Sequence, residues 1–503
     1  MAGEFLRSHG VDINAEMQRI QFGQDATQSD ESSTTPPPIS KIVNASLPNT
    51  PSGTTWDVHL HESTLSAAKG SKPGVSKIEP YDPASSPDEF TEQVIDARSA
   101  LLAPSLCHPH IHLDKPYLLS HPRYSHLQIQ KGDFAEAMEL TSKAKAQFER
   151  QDLLERGQRL IDESVSAGVT HIRAFVELDA GVGRKCLDAG LELKRKNATR
   201  CIVQLCAFAQ LPLFTSSPDD EDGAVIRGLM TKAARMEEVD VLGSTPYVES
   251  SLPKQQENVR WIVDLAVKHK KHLDLHLDYH LDATQTPLVH HVIATLHETS
   301  WSSSNPQRTI ILGHCTRLTL FSPAQWHDLR SSIGTLPLYF VGLPTSDLFM
   351  MRPTEPLLQR PTLHPGQMIQ SYGLKCCLGV NNVGNAFTPQ GSADPLFLAC
   401  QGVGVYQMGR RQDAGVLYGC VSRFAREAIG IGGGGEGGDD DVVRGQGQED
   451  DNIDLSVREG DGDLVLFGSE EIEWRTRRSV SEVVYLYDHC KNRRSILNGR
   501  VVR

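Results

Sequence analysis

One short run concentrates the chemistry of this sequence: His108-Pro-His110-Ile-His112-Leu-Asp114-Lys115, directly after the apolar stretch Leu101 to Leu106. On an extended strand, residues two apart share a face, so His110 and His112 can present two imidazoles together. Zn2+ and Fe2+ both accept that arrangement readily. A His-x-His pair alone is weak evidence, because surface and core accidents produce the same pattern, and His59 and His61 form a second one. Three later features add weight. His276 closes the apolar run Leu273 to Leu277, His314 closes Thr309-Ile-Ile-Leu-Gly-His314, and the turn Gly379-Val-Asn381-Asn-Val follows Cys376 to Leu378. Histidines at successive strand ends that feed one mouth make a site.

Such a mouth needs a scaffold, and the middle of the chain supplies its pattern. Strand-like runs at 169–176, 202–208, 273–277, 309–312, 338–341 and 376–379 alternate with helix-period segments such as 153–167 and 256–268. Repeated alternation is the mark of a parallel α/β sheet or barrel. Eight units make a (β/α)8 TIM barrel, whose chemistry sits at the C-terminal ends of its strands. Short strands precede it (41–47, 55–61, near 94–95 and 101–102) and follow it (463–467, 483–487, 495–502). The expected architecture is therefore that barrel with a small composite β-sandwich built from both chain ends. Its parts are a disordered extension over residues 1–39, sandwich over 40–103, barrel over 104–429, a flexible Gly/Asp-rich insert over 430–454, and sandwich again over 455–503.

The formal charge of −13, from 63 acidic and 50 basic residues, argues against nucleic acid or an anionic membrane as partner. Eleven acidic and two basic residues lie between Ile431 and Asp463, so that stretch carries −9 and leaves −4 for the rest. The charge thus says little about what the chain binds. Ten scattered cysteines without a Cys-x-x-Cys read as reduced thiols of an intracellular protein. The N-terminus lacks a signal-type apolar core, and nowhere do about 18 apolar residues run together. A cytoplasmic protein with a small-molecule substrate is expected, and a homo-oligomer is compatible with the sequence. The glycine run 432–438 lacks the Lys-Ser/Thr of a phosphate loop.

In their order along the chain, these motifs resemble the amidohydrolase superfamily. The nearest branch looks like the cytosine deaminase and N-isopropylammelide amidohydrolase type. Ala207-Phe-Ala-Gln210 is similar to the segment bearing that branch's substrate-binding glutamine, and Pro246-Tyr-Val-Glu249 stands where the branch has Pro-His-x-Glu. Asp463 to Phe467 and Ile496 to Val502 look like its closing sandwich strands, so the resemblance runs from about Lys41 to Val502. It implies one divalent metal ion, Zn2+ or Fe2+, held by His110, His112, His276 and the residue at position 381. The metal would activate water toward an sp2 carbon of a cyclic amide or amidine, with amine or ammonia leaving. His314 would polarise the water or stabilise developing charge, and Gln210 would bind the nitrogen heterocycle or amide substrate.

Two positions depart from the family's pattern. Where the family carries an aspartate as ligand and base, this sequence has Asn381, which is neutral and cannot take a proton from water. Where it carries a catalytic glutamate after the fifth-strand histidine, this sequence has Tyr279. With a phenol's ordinary pKa near 10, Tyr279 suits contact with substrate better than proton transfer. Asp278 and His280, two and four residues after His276, are the candidates to supply acid/base function by period-2 geometry, and the alternative for them is a structural hydrogen bond to the loop. The expected activity is metal-dependent hydrolysis of a non-peptide C–N bond. The alternatives are a degenerate relative that binds a small molecule without turnover, or a barrel lyase or isomerase using His314 and Asp278.

Overall fold

The computed structural model describes residues 38–61, 73–85, 93–217, 219–352, 360–432, 453–469, 473–488 and 493–502. The N-terminal extension up to residue 37 and the Gly/Asp-rich insert from 433 to 452 lie outside the described residues.

Four short strands come first: β1 (Lys41–Ala45), β2 (Trp56–His61), β3 (Gly74–Pro80) and β4 (Val94–Asp96). They form one sheet in the order β3-β2-β1-β4. β5 (Leu102–Pro104) leaves that sheet and pairs antiparallel with a strand more than 350 residues later, β14 (Leu464–Phe467), through Ala103 opposite Val465. β15 (Arg493–Leu497) and β16 (Arg500–Val501), joined by the turn Asn498-Gly499, complete a second sheet in the order β16-β15-β14-β5. Ile42, Val58 and Val75 of the first sheet share one apolar core with Leu102, Leu464 and Ile496 of the second. The two chain ends thus bury each other's inner faces.

Between them lie eight strands in sequential parallel order. They are β6 (Leu106–His112), β7 (Val169–Glu177), β8 (Ile202–Ala209), β9 (Val239–Ser244), β10 (His272–Leu277), β11 (Ile310–His314), β12 (Leu338–Gly342) and β13 (Cys376–Leu378). All but a few of their residues are buried, as a sheet covered on both faces requires. Helices return the chain between strands, for instance Arg150–Ser166, Lys185–Lys196 and Leu252–His269. In the first of these, Leu153, Leu160, Ile161 and Val165 repeat at helical spacing and face the sheet, with a charged outer face. The ring closes just beyond β13: Asn381 donates its backbone N–H to His110 O at 3.1 Å, and His112 donates to Asn381 O at 2.8 Å. This is a (β/α)8 TIM barrel.

One expected strand is a helix. Val483 to Tyr487 falls largely in the helix Val480–Tyr485, whose start is set by Ser479 Oγ accepting from the Glu482 N–H. A Ser-x-x-Glu cap outweighs the β propensity of two adjacent valines. The second His-x-His pair belongs to β2, where His59 Nε2 lies 2.7 Å from Glu79 Oε1 of β3.

Candidate metal centre

β6 delivers the first two imidazoles, though not by simple alternation. Its register slips between His108 and Ile111, around Pro109, which has no N–H to donate to the ladder. His108 therefore turns outward, its Nε2 3.0 Å from Ala393 O and 3.1 Å from Ser164 Oγ on the helix 150–166. His110 and His112 both point into the barrel mouth. His276 joins them from β10, with its Nε2 3.1 Å from that of His110 and 3.3 Å from that of His112. All three rings are almost completely buried, packed against Phe175 and Phe208. Burial pushes all three well toward the neutral form. Gly313 makes this possible, since a Cβ there would lie 3.0 Å from His110 Cε1.

Three neutral imidazoles converging on Nε2 cannot satisfy one another by hydrogen bonds alone. A tetrahedral cation with bonds of about 2.05 Å sets its ligand nitrogens roughly 3.3 Å apart, which is the spacing found. Asn381 adds a fourth donor. Its Nδ2 donates to Ser346 Oγ at 2.8 Å, while Oδ1 is buried with no hydrogen-bond partner among the described residues. The donor set fits a divalent cation. Behind it, His110 Nδ1 lies 3.4 Å from Asp274 Oδ1, and Asp274 Oδ2 pairs with the fully buried Arg173 at 3.3 Å.

A cavity opens above these groups, and His112, His276, His314 and Asn381 all line it. His314, the last residue of β11, gives its Nδ1 to Asp347 Oδ1 at 2.7 Å and stacks on Tyr279 with ring centres 3.8 Å apart. Gln210 and Lys115 line the same cavity. Lys115 Nζ lies 2.5 Å from Glu177 Oε1 and 3.5 Å from Gln210 Oε1. Burial would raise the Glu177 carboxyl, but Lys115 and Lys145 together pull it down to about 2. Tyr247 and Tyr279 wall the cavity, and burial pushes both phenols up. Among the described residues, no acidic side chain lines it.

Asp278 is a correction. β10 ends at Leu277 and Asp278 has a left-handed φ of 47°, so strand alternation does not extend to it. Its oxygens accept from the backbone N–H groups of Leu288 (2.8 Å) and Val289 (3.1 Å), at the start of the helix Val289–Glu298. It does not line the cavity, and its task is to cap that helix. The sequence reading also missed Ser346 and Asp347. Both follow β12 directly in Leu343-Pro-Thr-Ser-Asp347, and the rule that barrel chemistry gathers at strand C-termini could have found them.

No family model matches the chain. It is 21% identical over 420 residues, 81% of this chain and 87% of the relative, to N-isopropylammelide isopropyl amidohydrolase of Pseudomonas sp. (strain ADP). Among solved structures, 5-methylcytosine deaminase from Klebsiella pneumoniae superposes with a TM-score of 0.71 at 20% identity, covering 92% of this chain and 97% of that one. N-isopropylammelide isopropylaminohydrolase from Burkholderia multivorans gives 0.64 at 17% identity, covering 92% and 97%. In fold, and along 81% of its sequence, the chain is thus similar to amidohydrolases and deaminases of this kind.

Proposed function

We propose that the chain is a metal-dependent hydrolase of a C–N bond in a small nitrogen heterocycle or cyclic amide. The observation that carries this reading is the convergence of three neutral imidazoles at 3.1 and 3.3 Å beside the free oxygen of Asn381. His110, His112, His276 and Asn381 would hold one Zn2+ or Fe2+. When bound, such a cation lowers the pKa of water toward 7 and so provides a nucleophile near neutral pH.

The remaining steps belong to the chain's own side chains. Tyr247 and Tyr279 give the cavity an aromatic wall against which a flat ring can lie. Gln210 and Lys115, held by Glu177, give it one amide and one ammonium to orient ring carbonyls. Water's oxygen forms the new bond to carbon as the C–N bond breaks, and its proton must reach the departing nitrogen. His314 is the group placed for that transfer, because its Nδ1 is committed to Asp347 and its other nitrogen remains on the cavity side. The phenols, pushed up by burial, are not. The neutral Asn381 and Tyr279 in the lining favour a second reading, a binding protein that holds such a heterocycle without turnover. A lyase or isomerase using Asp278 loses its support, since that carboxylate caps a helix.

The test is elemental analysis of purified protein before and after chelation and add-back of Zn2+ or Fe2+, followed by assay of amine or ammonia release from cytosine, N-isopropylammelide and related rings. One metal per chain with release supports the hydrolase. One metal without release from any ring supports the binding protein. A protein that takes up no metal after add-back overturns the hydrolase and leaves the binding protein.

A further inference from the structure

The cavity has neutral groups at 381 and 279, yet an acid stands directly behind His314. Asp347 sits in the helix Pro344–Met350 that follows β12, completely buried. Its Oδ1 accepts from His314 Nδ1, and its Oδ2 accepts from Thr362 Oγ1 at 3.0 Å and from the Leu343 N–H at 3.2 Å. Three partners fix the carboxylate. An ionised carboxylate only accepts, so with Asp347 ionised the ring hydrogen of His314 would sit on Nδ1 and the lone pair of Nε2 would be left for the cavity. Stacking on Tyr279 fixes the ring plane. The adjacent residue does the same for the other polar group. Ser346 Oγ takes the Asn381 Nδ2–H, which turns the amide nitrogen away and leaves Oδ1 facing inward, and Thr388 Oγ1 holds Ser346 Oγ at 2.5 Å.

We propose that the neighbouring pair Ser346 and Asp347 is a positioning device that aims both His314 Nε2 and Asn381 Oδ1 into the cavity. This builds on the hydrolase reading of the cavity, but its test does not depend on turnover.

Metal-free protein labelled with 15N-histidine is measured by long-range 1H–15N correlation near pH 8, where ordinary histidines are neutral. A His314→Gln variant identifies the signal. The expected result is His314 protonated on Nδ1 in the wild type, with the population moving toward Nε2–H in Asp347→Asn, whose amide can donate where the carboxylate could not. A wild-type ring protonated on Nε2, or a tautomer unmoved by Asp347→Asn, overturns the proposal. The wild-type spectrum decides this even if the variant fails to fold. For the second half, zinc affinity by chelator competition should fall about tenfold in Ser346→Ala and recover in Ser346→Thr. An unchanged affinity in a folded Ser346→Ala overturns that half. A wild type that binds neither Zn2+ nor Fe2+ sinks the hydrolase reading, and the tautomer then decides for the pair.

Discussion

Gly313→Ala is a one-atom perturbation aimed at the metal centre. The backbone at Gly313 is not left-handed, so the new methyl adds no conformational strain of its own. It would stand 3.0 Å from His110 Cε1 and 3.3 Å from His110 Nδ1, where ordinary contact begins at 3.4 Å. The ring must therefore give way by about 0.4 Å. It has little room, because Phe175 packs against it with ring centres 4.1 Å apart. Metal–ligand distances tolerate about 0.2 Å, so the required shift is about twice what coordination allows. Disturbing the support of a ligand in this way typically costs 10- to 100-fold in affinity, which is roughly 1.4–2.8 kcal/mol. Zinc affinity is measured by competition with a chromophoric chelator, with circular dichroism and thermal melting as controls for fold. A variant that stays folded and binds zinc as tightly as the wild type would falsify His110 as a ligand.

Three further predictions concern the same region. Asn381→Asp adds an anionic donor where Oδ1 is now unpartnered, so zinc affinity and any hydrolytic rate should both rise; if neither moves, residue 381 is not at the metal. Burial holds the Asp278 carboxyl up at about 6 against an ordinary 3.8. Its folded pKa is thus the higher one, so its contribution is complete below about pH 4 and is lost as pH rises through 6, by roughly 3 kcal/mol. Denaturation curves of wild type and Asp278→Asn should therefore converge or cross between pH 4 and pH 7; a constant gap would refute the sign. Lys115→Met leaves the buried Glu177 with Lys145 alone, and breaking such a pair costs about 3–5 kcal/mol. Adding Glu177→Gln should restore part of that stability in urea titrations.

What the sequence discloses is what local periodicity can carry. His110, His112, His276 and His314 are legible because each sits in or at the end of an apolar run, and strand ends in a barrel share one mouth. The sandwich is legible at both ends for the same reason. Reading fails where a period is carried past the element that owns it, as at Asp278, one residue beyond β10 and already left-handed. The two-residue period itself breaks at His108, where a slip in β6 sends one histidine outward and the next inward. Asp347 is hidden for a different cause, because its importance is a contact with His314, 33 residues away. The helix Val480–Tyr485 turns on a single serine cap that composition does not weigh.

The two backbone bonds that close the ring both belong to Asn381, one through its N–H and one through its C=O. Architecture and chemistry at this residue are therefore divided between its atoms: the peptide group acts as the clasp, and only the side chain looks into the cavity. Any residue able to hold the φ of 63° found there would keep the clasp shut, and asparagine tolerates that conformation well. A lineage could exchange the side chain at this point, and with it the charge of the centre, without reopening the barrel.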